Sequence, residues 1–330
     1  MRYSTLGDSG MKVSRLGLGA MVFGWRTPRQ DAARIIGAAL DSGINLIDTS
    51  DSYGGGQSEE IIGEAMAGNG RRDNVLLATK FRFCADQSGD HGDIVHACEE
   101  SLKRLRTDRI DLYQLHYPQR DIPIEAVLRA MEDLIRSGKV IHSGICNFPA
   151  WQVVESFLVA DDCRTRRFVS NQIPYNLLDR AAECELLPMA SALGHGVIVF
   201  CSLAEGILTG KYRRDEPLPE DSRYAKIDKP GLHRERLTPA VHDAVEKLEG
   251  LAARRGVALS NFCLAWILAR PEVACTLVGP ATVEQLQGCL LSQGVDFTES
   301  DRDEVDSVIP PGTVLSSFAA TPRRTSSGAH

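Results

Sequence analysis

The chain has 330 residues, 43% of them hydrophobic and 25% charged, and a net charge of -7. That length suits one large α/β domain, and the negative balance offers no basic field to nucleic acid or an anionic membrane. Nine scattered cysteines without a C-x-x-C pair, eight histidines without H-E-x-x-H spacing, no apolar run near the ~18–20 residues of a bilayer span, and no charged-then-apolar leader pattern set the expectation: reduced thiols, no resident metal and a cytoplasmic chain.

In chain order, Tyr3–Leu6 and Lys12–Ser14 flank the turn-rich Gly7-Asp8-Ser9-Gly10, a β-hairpin signal. Arg15–Gly19 is a short strand ending in glycine. A helix follows from Asp31 to about Ser42, with Ile35, Ile36, Ala39 and Leu40 on one face and Gly43 as its stop. Strands and helices then alternate: strand 45–48 and helix 58–67, strand 75–80 and helix 93–105, strand 110–116 and helix 124–137, strand 140–146 and helix 150–159, strand 168–172 and helix 181–192. Strand 197–200 leads into a long connection, Ser202 to about Pro239. Helices 241–254 and 260–269, strand 276–278 and helix 283–291 complete the series.

Eight β-then-α units with near-continuous apolar strands predict a parallel sheet covered by helices, and eight is the closing number for a barrel. The expected fold class is α/β, a (β/α)8 barrel over residues 1–310 with a hairpin at its N-terminus; an open doubly wound sheet is the alternative. Residues 311–330, rich in Ser, Thr, Pro and Arg, read as a disordered tail.

In a barrel the C-terminal ends of the strands share one mouth. The polar residues ending these strands are Asp48, Lys80, His116, Asn147 and Gln172, and Tyr53 lies five residues beyond Asp48. A strand reading VLLATK has no packing reason to end in lysine at a buried mouth, nor LYQLH in histidine, unless partners await them. Singly, each has an ordinary structural role as turn former, snorkelling lysine or core histidine. Together they describe a proton-donating site. An ammonium from Lys80 beside a phenol favours the phenolate and lowers its pKa, Asp48 keeps Lys80 charged, His116 orients a substrate oxygen, and Tyr53 delivers the proton.

Over nearly its whole length the chain resembles the aldo-keto reductases, through LGLGAMVFG, DTSDSYGGGQSEEIIGEAM, LLATK, DLYQLH, SGICNF, NQIPYNLLDR, SLAEGILTGKY and LAWILARPEV in order. The resemblance implies a barrel closed at its base by the hairpin, a nicotinamide cofactor bound across the mouth, and a catalytic tetrad of Asp48, Tyr53, Lys80 and His116. It further implies carboxamide contacts from Cys146, Asn147 and Gln172, with Asp48 nearby. Phe200 would stack on the nicotinamide ring, and Ala20 and Met21 would lie on the first loop. Cys201, Ser202, Leu203, Gly206, Lys211 and Arg223 belong to the segment that folds over the pyrophosphate, and Gly279, Ala281 and Gln285 to the phosphate-binding turn and the helix after it.

Several positions depart from the family pattern. Cys146 replaces a serine, a weaker donor, and Ala281 stands where many members carry Arg, Lys or Ser. Gly288 and Cys289 replace the common Glu and Asn near the adenine, which weakens the case for a 2′-phosphate. NADPH is still the expected cofactor, with NADH as its alternative, and the expected substrate is a small aldehyde or ketone such as a sugar or keto-sugar. Two other readings are a cofactor-binding regulatory subunit like the potassium-channel β subunits, which lack a histidine at the position of His116, and a Schiff-base aldolase using Lys80, which needs a lysine free of a carboxylate. Trp25, Phe83 and Tyr117, with the loops 82–91, 117–121 and 202–239, are the residues expected to set substrate choice.

Overall fold

Near-continuous apolar strands bury both faces, and in the computed structural model they do so by closing on one another. The structure describes residues 1–68, 70–83, 89–119, 122–226 and 234–318. In chain order the elements are β1 (Tyr3–Thr5), β2 (Lys12–Ser14), β3 (Leu16–Gly19), α1 (Arg29–Asp41), β4 (Leu46–Asp48), α2 (Gln57–Met66), β5 (Leu76–Phe81), α3 (His91–Leu105), β6 (Ile110–Leu115), α4 (Ile124–Arg136), β7 (Val140–Cys146) and α5 (Ala150–Cys163). There follow β8 (Ser170–Pro174), α6 (Leu186–Ala192), β9 (Gly196–Phe200), α7 (Pro239–Arg254), α8 (Leu259–Leu268), β10 (Cys275–Val278), α9 (Val283–Leu290) and α10 (Glu299–Val308). The strands β3 to β10 form a closed parallel barrel, with β10 pairing both β3 and β9, so the (β/α)8 expectation holds and the open sheet does not.

The hairpin β1–β2 closes the N-terminal end. Its Leu6, Met11 and Val13 are buried in one apolar layer with Leu46, Ala78, Leu112, Ile198 and Cys275 from five barrel strands. The opposite end is therefore the open one, and the strand register decides which side chains meet there. Asp48 pairs with Ala78, Lys80 with Gln114, Gln114 with Gly144, and Cys146 with Gln172. Gly144 leaves room at this level: a Cβ there would lie 2.9 Å from Ser170 Oγ and 3.3 Å from Gln114 Cγ.

Three differences from the sequence expectation have physical causes. The helix expected over 181–192 is a short turn at Ala181–Glu183 followed by α6, because Pro188 is tolerated only in a helix's first turn. Helix α10 was not expected: its sequence ESDRDEVDSV buries little beyond Asp301 and Val305, yet a capping box between Thr298 and Asp301 starts it. Residues 311–318 of the expected tail pack against the rest of the chain. Leu315 N–H donates to Leu178 O (2.9 Å), Phe318 N–H donates to Asp179 Oδ2 (2.9 Å), Val314 bridges Asp179, and the buried Phe318 ring lies under the Arg236 guanidinium at 4.5 Å. Residues 319–330 lie outside the described residues, as do 84–88, 120–121 and 227–233 of the loops expected to set specificity.

Candidate functional site at the barrel mouth

Asp48 ends β4, and Lys80 sits one residue before the end of β5; both are buried. Lys80 Nζ donates to Asp48 Oδ1 (2.5 Å), to Thr49 O (2.9 Å) and to Tyr53 Oη (3.4 Å), and lies 5.0 Å from the Tyr53 ring centre. The second carboxylate oxygen of Asp48 accepts from Gln172 Nε2 (2.7 Å) and Gln114 Nε2 (3.2 Å). A buried charge is costly unless paired and hydrogen-bonded, and here the ammonium and the carboxylate satisfy each other with two amides completing the shell.

The loop from Asp48 to α2 delivers Tyr53. Gly54, Gly55 and Gly56 have φ of 59°, 66° and 96°, left-handed values that glycine adopts without steric cost, and they turn the chain from the mouth into α2. His116 follows β6, its ring stacked on Tyr117 (4.4 Å, 8°) and edge-on to Tyr53 (5.9 Å, 79°). All four residues of the expected tetrad thus meet at one mouth.

Their protonation follows from burial first. Burial disfavours the Lys80 ammonium, but the Asp48 carboxylate more than restores it and Lys80 is held above its ordinary pKa. A protonated amine cannot attack a carbonyl, so this geometry argues against the Schiff-base reading. Burial also raises the Tyr53 phenol, and the opposing pull of Lys80 does not overcome it. The expected lowering of the phenol by Lys80 is therefore not the resting balance, because at 3.4 Å the ammonium offsets only part of the desolvation. Burial, then Lys80 and Arg82, push His116 down to about 2, so its imidazole is neutral and can donate or accept but carries no charge.

Around this centre the other expected residues divide. Asn147 has φ of 65° and gives its Nδ2 to His116 O (3.1 Å) and Cys146 Sγ (3.1 Å), while its buried Oδ1 has no partner among the described residues. An orphaned buried acceptor costs roughly 1–3 kcal/mol, which an amide donor from a ligand would recover. That suits the carboxamide of a nicotinamide. Gln172 has spent its Nε2 on Asp48, leaving Oε1, which among the described residues receives only the distant Cys146 thiol at 3.9 Å. Burial raises that thiol to about 12, so it is a neutral, weak donor.

Phe200 ends β9, half-buried, and the chain then turns through Cys201, Ala204, Glu205 and Gly206 with φ of 54°, 49°, 56° and 97°. Gly206 lets Lys211 approach: a Cβ there would lie 2.9 Å from Nζ. Burial, then Arg26 and Arg223, lower Lys211, and burial, then Arg223, lower Arg26; three cations repel one another here. Glu205 partly compensates, pairing with Arg223 (3.2 Å) and Arg236 (2.7 Å). Such a cluster fits a pyrophosphate. Arg26 was missed from the sequence because it sits on an irregular loop with no periodicity to read.

Other expected contacts are less available. Ser202 Oγ meets Thr276 Oγ1 (2.5 Å) and donates to Leu277 O (3.0 Å), so its hydroxyl serves β10. Ala20 is buried, its N–H donating to Asp48 O (2.8 Å) and its carbonyl accepting from Ser58 Oγ (2.9 Å), while Met21 and Leu203 are partly exposed. Beyond β10, Gly279 is exposed, and Ala281 N–H donates to Gln285 Oε1 (2.8 Å), which occupies the donor expected for phosphate. Trp25 is 52% exposed, Phe83 packs edge-on against Phe81, and Gln114, unanticipated, belongs to the Asp48 network. Among the described residues no cluster of His, Cys, Asp and Glu forms a metal site, and no single helix is long and apolar enough to cross a membrane.

A family model described as Aldo/keto reductase family matches residues 15–310. The chain is 36% identical to the uncharacterized oxidoreductase YrpG of Bacillus subtilis (strain 168), with 94% of this chain and 97% of that one covered. It is 35% identical to the aldo-keto reductase YhdN of the same organism, with 94% of each covered. It is also 34% identical to a probable voltage-gated potassium channel subunit beta of Oryza sativa subsp. japonica, with 87% of this chain and 89% of that one covered.

Proposed function

Because the chain belongs to the aldo/keto reductase family and that membership supports an oxidoreductase, we propose that it reduces a small aldehyde or ketone to the alcohol, with Tyr53 as proton donor. The observation that carries this reading is the line of contacts from Asp48 Oδ1 through Lys80 Nζ to Tyr53 Oη, at 2.5 and 3.4 Å. When bound, a reduced nicotinamide supplies hydride to the carbonyl carbon. Everything else falls to the chain's own side chains. Asn147 Oδ1 and Gln172 Oε1 would hold the carboxamide, Phe200 would pack on the ring, and Lys211, Arg223 and Arg26 would meet the pyrophosphate. Leu203, Gly206 and the backbone of Cys201 and Ser202 would line its path, and Ala20 and Met21 its near edge.

The proton comes from Tyr53 Oη. Negative charge growing on the substrate oxygen is stabilised by the phenol proton and by His116, and the phenolate left behind is stabilised by Lys80, whose charge Asp48 secures. Tyr117, Trp25 and Phe83 would surround the substrate, a sugar or keto-sugar being one fit. For the cofactor we favour NADP(H), the family's general habit, with NAD(H) accepted as well: Glu284 follows the turn whose Ala281 N–H is already taken, and neither favours a 2′-phosphate strongly.

Turnover of sugars, aromatic aldehydes and keto-sugars with NADPH and NADH tests the reading. Tyr53→Phe should lose about 10³-fold in carbonyl reduction, within the usual range for a general acid, while binding the cofactor as tightly as wild type. A variant that keeps most of its activity would show that the proton comes from elsewhere. Cofactor binding with no turnover of any carbonyl would favour the regulatory-subunit alternative suggested by the rice relative's name.

A further inference from the structure

Two residues between Asp48 and Tyr53 have no part in the reaction just described. Ser50 is fully buried, and its Oγ lies 3.3 Å from His116 Nδ1, 3.1 Å from Asp51 Oδ1, 2.9 Å from Ser52 Oγ and 3.4 Å from Lys80 O, while it accepts the Ser52 N–H at 3.3 Å. One hydroxyl proton therefore faces several acceptors. His116 Nε2, by contrast, has no hydrogen-bond partner among the described residues and is the nitrogen left for a substrate oxygen.

We propose that Asp51 and Ser50 are positioning residues that choose the tautomer of His116, and so decide whether His116 offers the substrate oxygen a hydrogen or a lone pair. The inference rests on the reading of His116 as the group beside that oxygen. An ionised Asp51 is an acceptor only and, being charged, outcompetes neutral acceptors for the Ser50 proton. Ser50 then accepts the Nδ1 hydrogen of His116, and Nε2 presents a lone pair, which suits an alcohol hydroxyl. When Asp51 takes up a proton, its pull on Ser50 is lost. Ser50 then turns to donate to Nδ1, the imidazole hydrogen resides on Nε2, and that edge suits a carbonyl oxygen. One proton is gained, at Asp51, and the imidazole remains neutral in both states.

The surroundings place this change within an accessible range. Asp51 is faced by Glu59 of α2, Arg104 of α3, Tyr113 of β6 and, from β5 and just beyond it, the Lys80 carbonyl and the Arg82 amide. Burial and then Glu59 raise it, against Ser50, the Arg82 N–H and Arg104, to about 6. His116 is faced by Lys80, Arg82, Tyr53 and Tyr117, and is kept neutral across that range.

The test is a pH titration of the full-length protein labelled with ¹⁵N-histidine, its tautomers read from long-range ¹H–¹⁵N correlations and His116 assigned by His116→Asn. The expected result is that wild-type His116 passes from the Nε2–H form to the Nδ1–H form as pH rises through about 6. Ser50→Ala and Asp51→Asn should each remove that change, and each should flatten the same step in the pH profile of kcat/KM for carbonyl reduction. A wild-type tautomer constant from pH ~5 to 8, or a change that survives both substitutions, overturns the inference. The spectrum needs no turnover. A tautomer step without carbonyl reduction would overturn the proposed reaction alone, and Tyr53-dependent reduction with a fixed tautomer would overturn this inference alone.

Discussion

Gln114 and Gln172, on strands two apart in the barrel, donate to the same oxygen of Asp48, at 3.2 and 2.7 Å. With Lys80 on the other oxygen, the carboxylate is held by three other strands besides its own. The charge of Asp48 is thus part of the barrel's wall.

Removing that charge should therefore affect both folding and chemistry. Asp48→Asn leaves Lys80 buried without a counter-charge and turns an amide N–H or carbonyl towards two amide donors. Breaking one partner of a buried pair costs about 3–5 kcal/mol. The urea midpoint should fall accordingly, and kcat/KM for carbonyl reduction should drop by about 10²-fold or more. A variant within threefold of wild type on both measures would mean the pair is not needed.

The cluster of Arg26, Lys211 and Arg223 predicts opposite effects on stability and binding. Arg26→Gln relieves repulsion in the free protein, so thermal stability should hold or rise slightly. Cofactor affinity, followed by quenching of tryptophan fluorescence, should weaken about tenfold at low salt and by less at about 1 M salt, where the screening length is near 3 Å. Equal affinity at low salt would remove Arg26 from the site.

Acid sensitivity should have a contribution from the barrel base. Burial lowers His195 to about 4, and its ring lies edge-on to Phe157 at 5.2 Å. The unfolded chain binds this proton near the ordinary value of ~6.5, so nothing is lost above that pH. As pH falls from there to about 4, the unfolded state gains the proton first and stability drops by roughly 1.4 kcal/mol per unit. His195→Gln should reduce the slope of unfolding free energy against pH by that amount in urea titrations between pH 7 and 4.5. His116 has the same sign of shift and remains in both proteins, so the difference isolates His195.

Close packing between α2 and α3 supplies the fourth prediction. A Cβ on Gly63 would lie 2.4 Å from Arg104 O and 2.7 Å from Leu105 C, both backbone atoms that cannot turn aside. Gly63→Ala gains about 1 kcal/mol in helix propensity but costs more in overpacking, roughly 1–3 kcal/mol or above. The net should be destabilising. It should also disturb Arg104, whose Nε donates to the buried Glu59 at 2.6 Å.

The barrel, and the meeting of Asp48, Tyr53, Lys80 and His116 at its mouth, were legible in the sequence for one reason. Strands buried on both faces read as apolar runs, so a lysine or histidine at the end of such a run stands out. Strand alternation puts Gln114 on the face of His116 two residues on, but a glutamine inside an apolar strand carries no charge to set it apart, and only the folded geometry shows it on Asp48. Helix α10 escaped because its amphipathic signal is nearly absent, although Thr298 and Asp301 spell a capping box. Ser50, Asp51 and Arg26 lie on loops, where no period links sequence to position and only the folded geometry shows what they touch.

The packing of residues 311–318 has one further consequence. Phe318 lies against Arg236, Arg236 pairs with Glu205, and Glu205 pairs with Arg223 of the cation cluster. Residues 311–318 therefore back, through Arg236 and Glu205, the cation cluster of the proposed cofactor site. A truncation placed after Ile309, or a purification tag fused tightly there, would take away the Phe318 ring that packs on Arg236 and loosen the Glu205 pairs behind the proposed cofactor site.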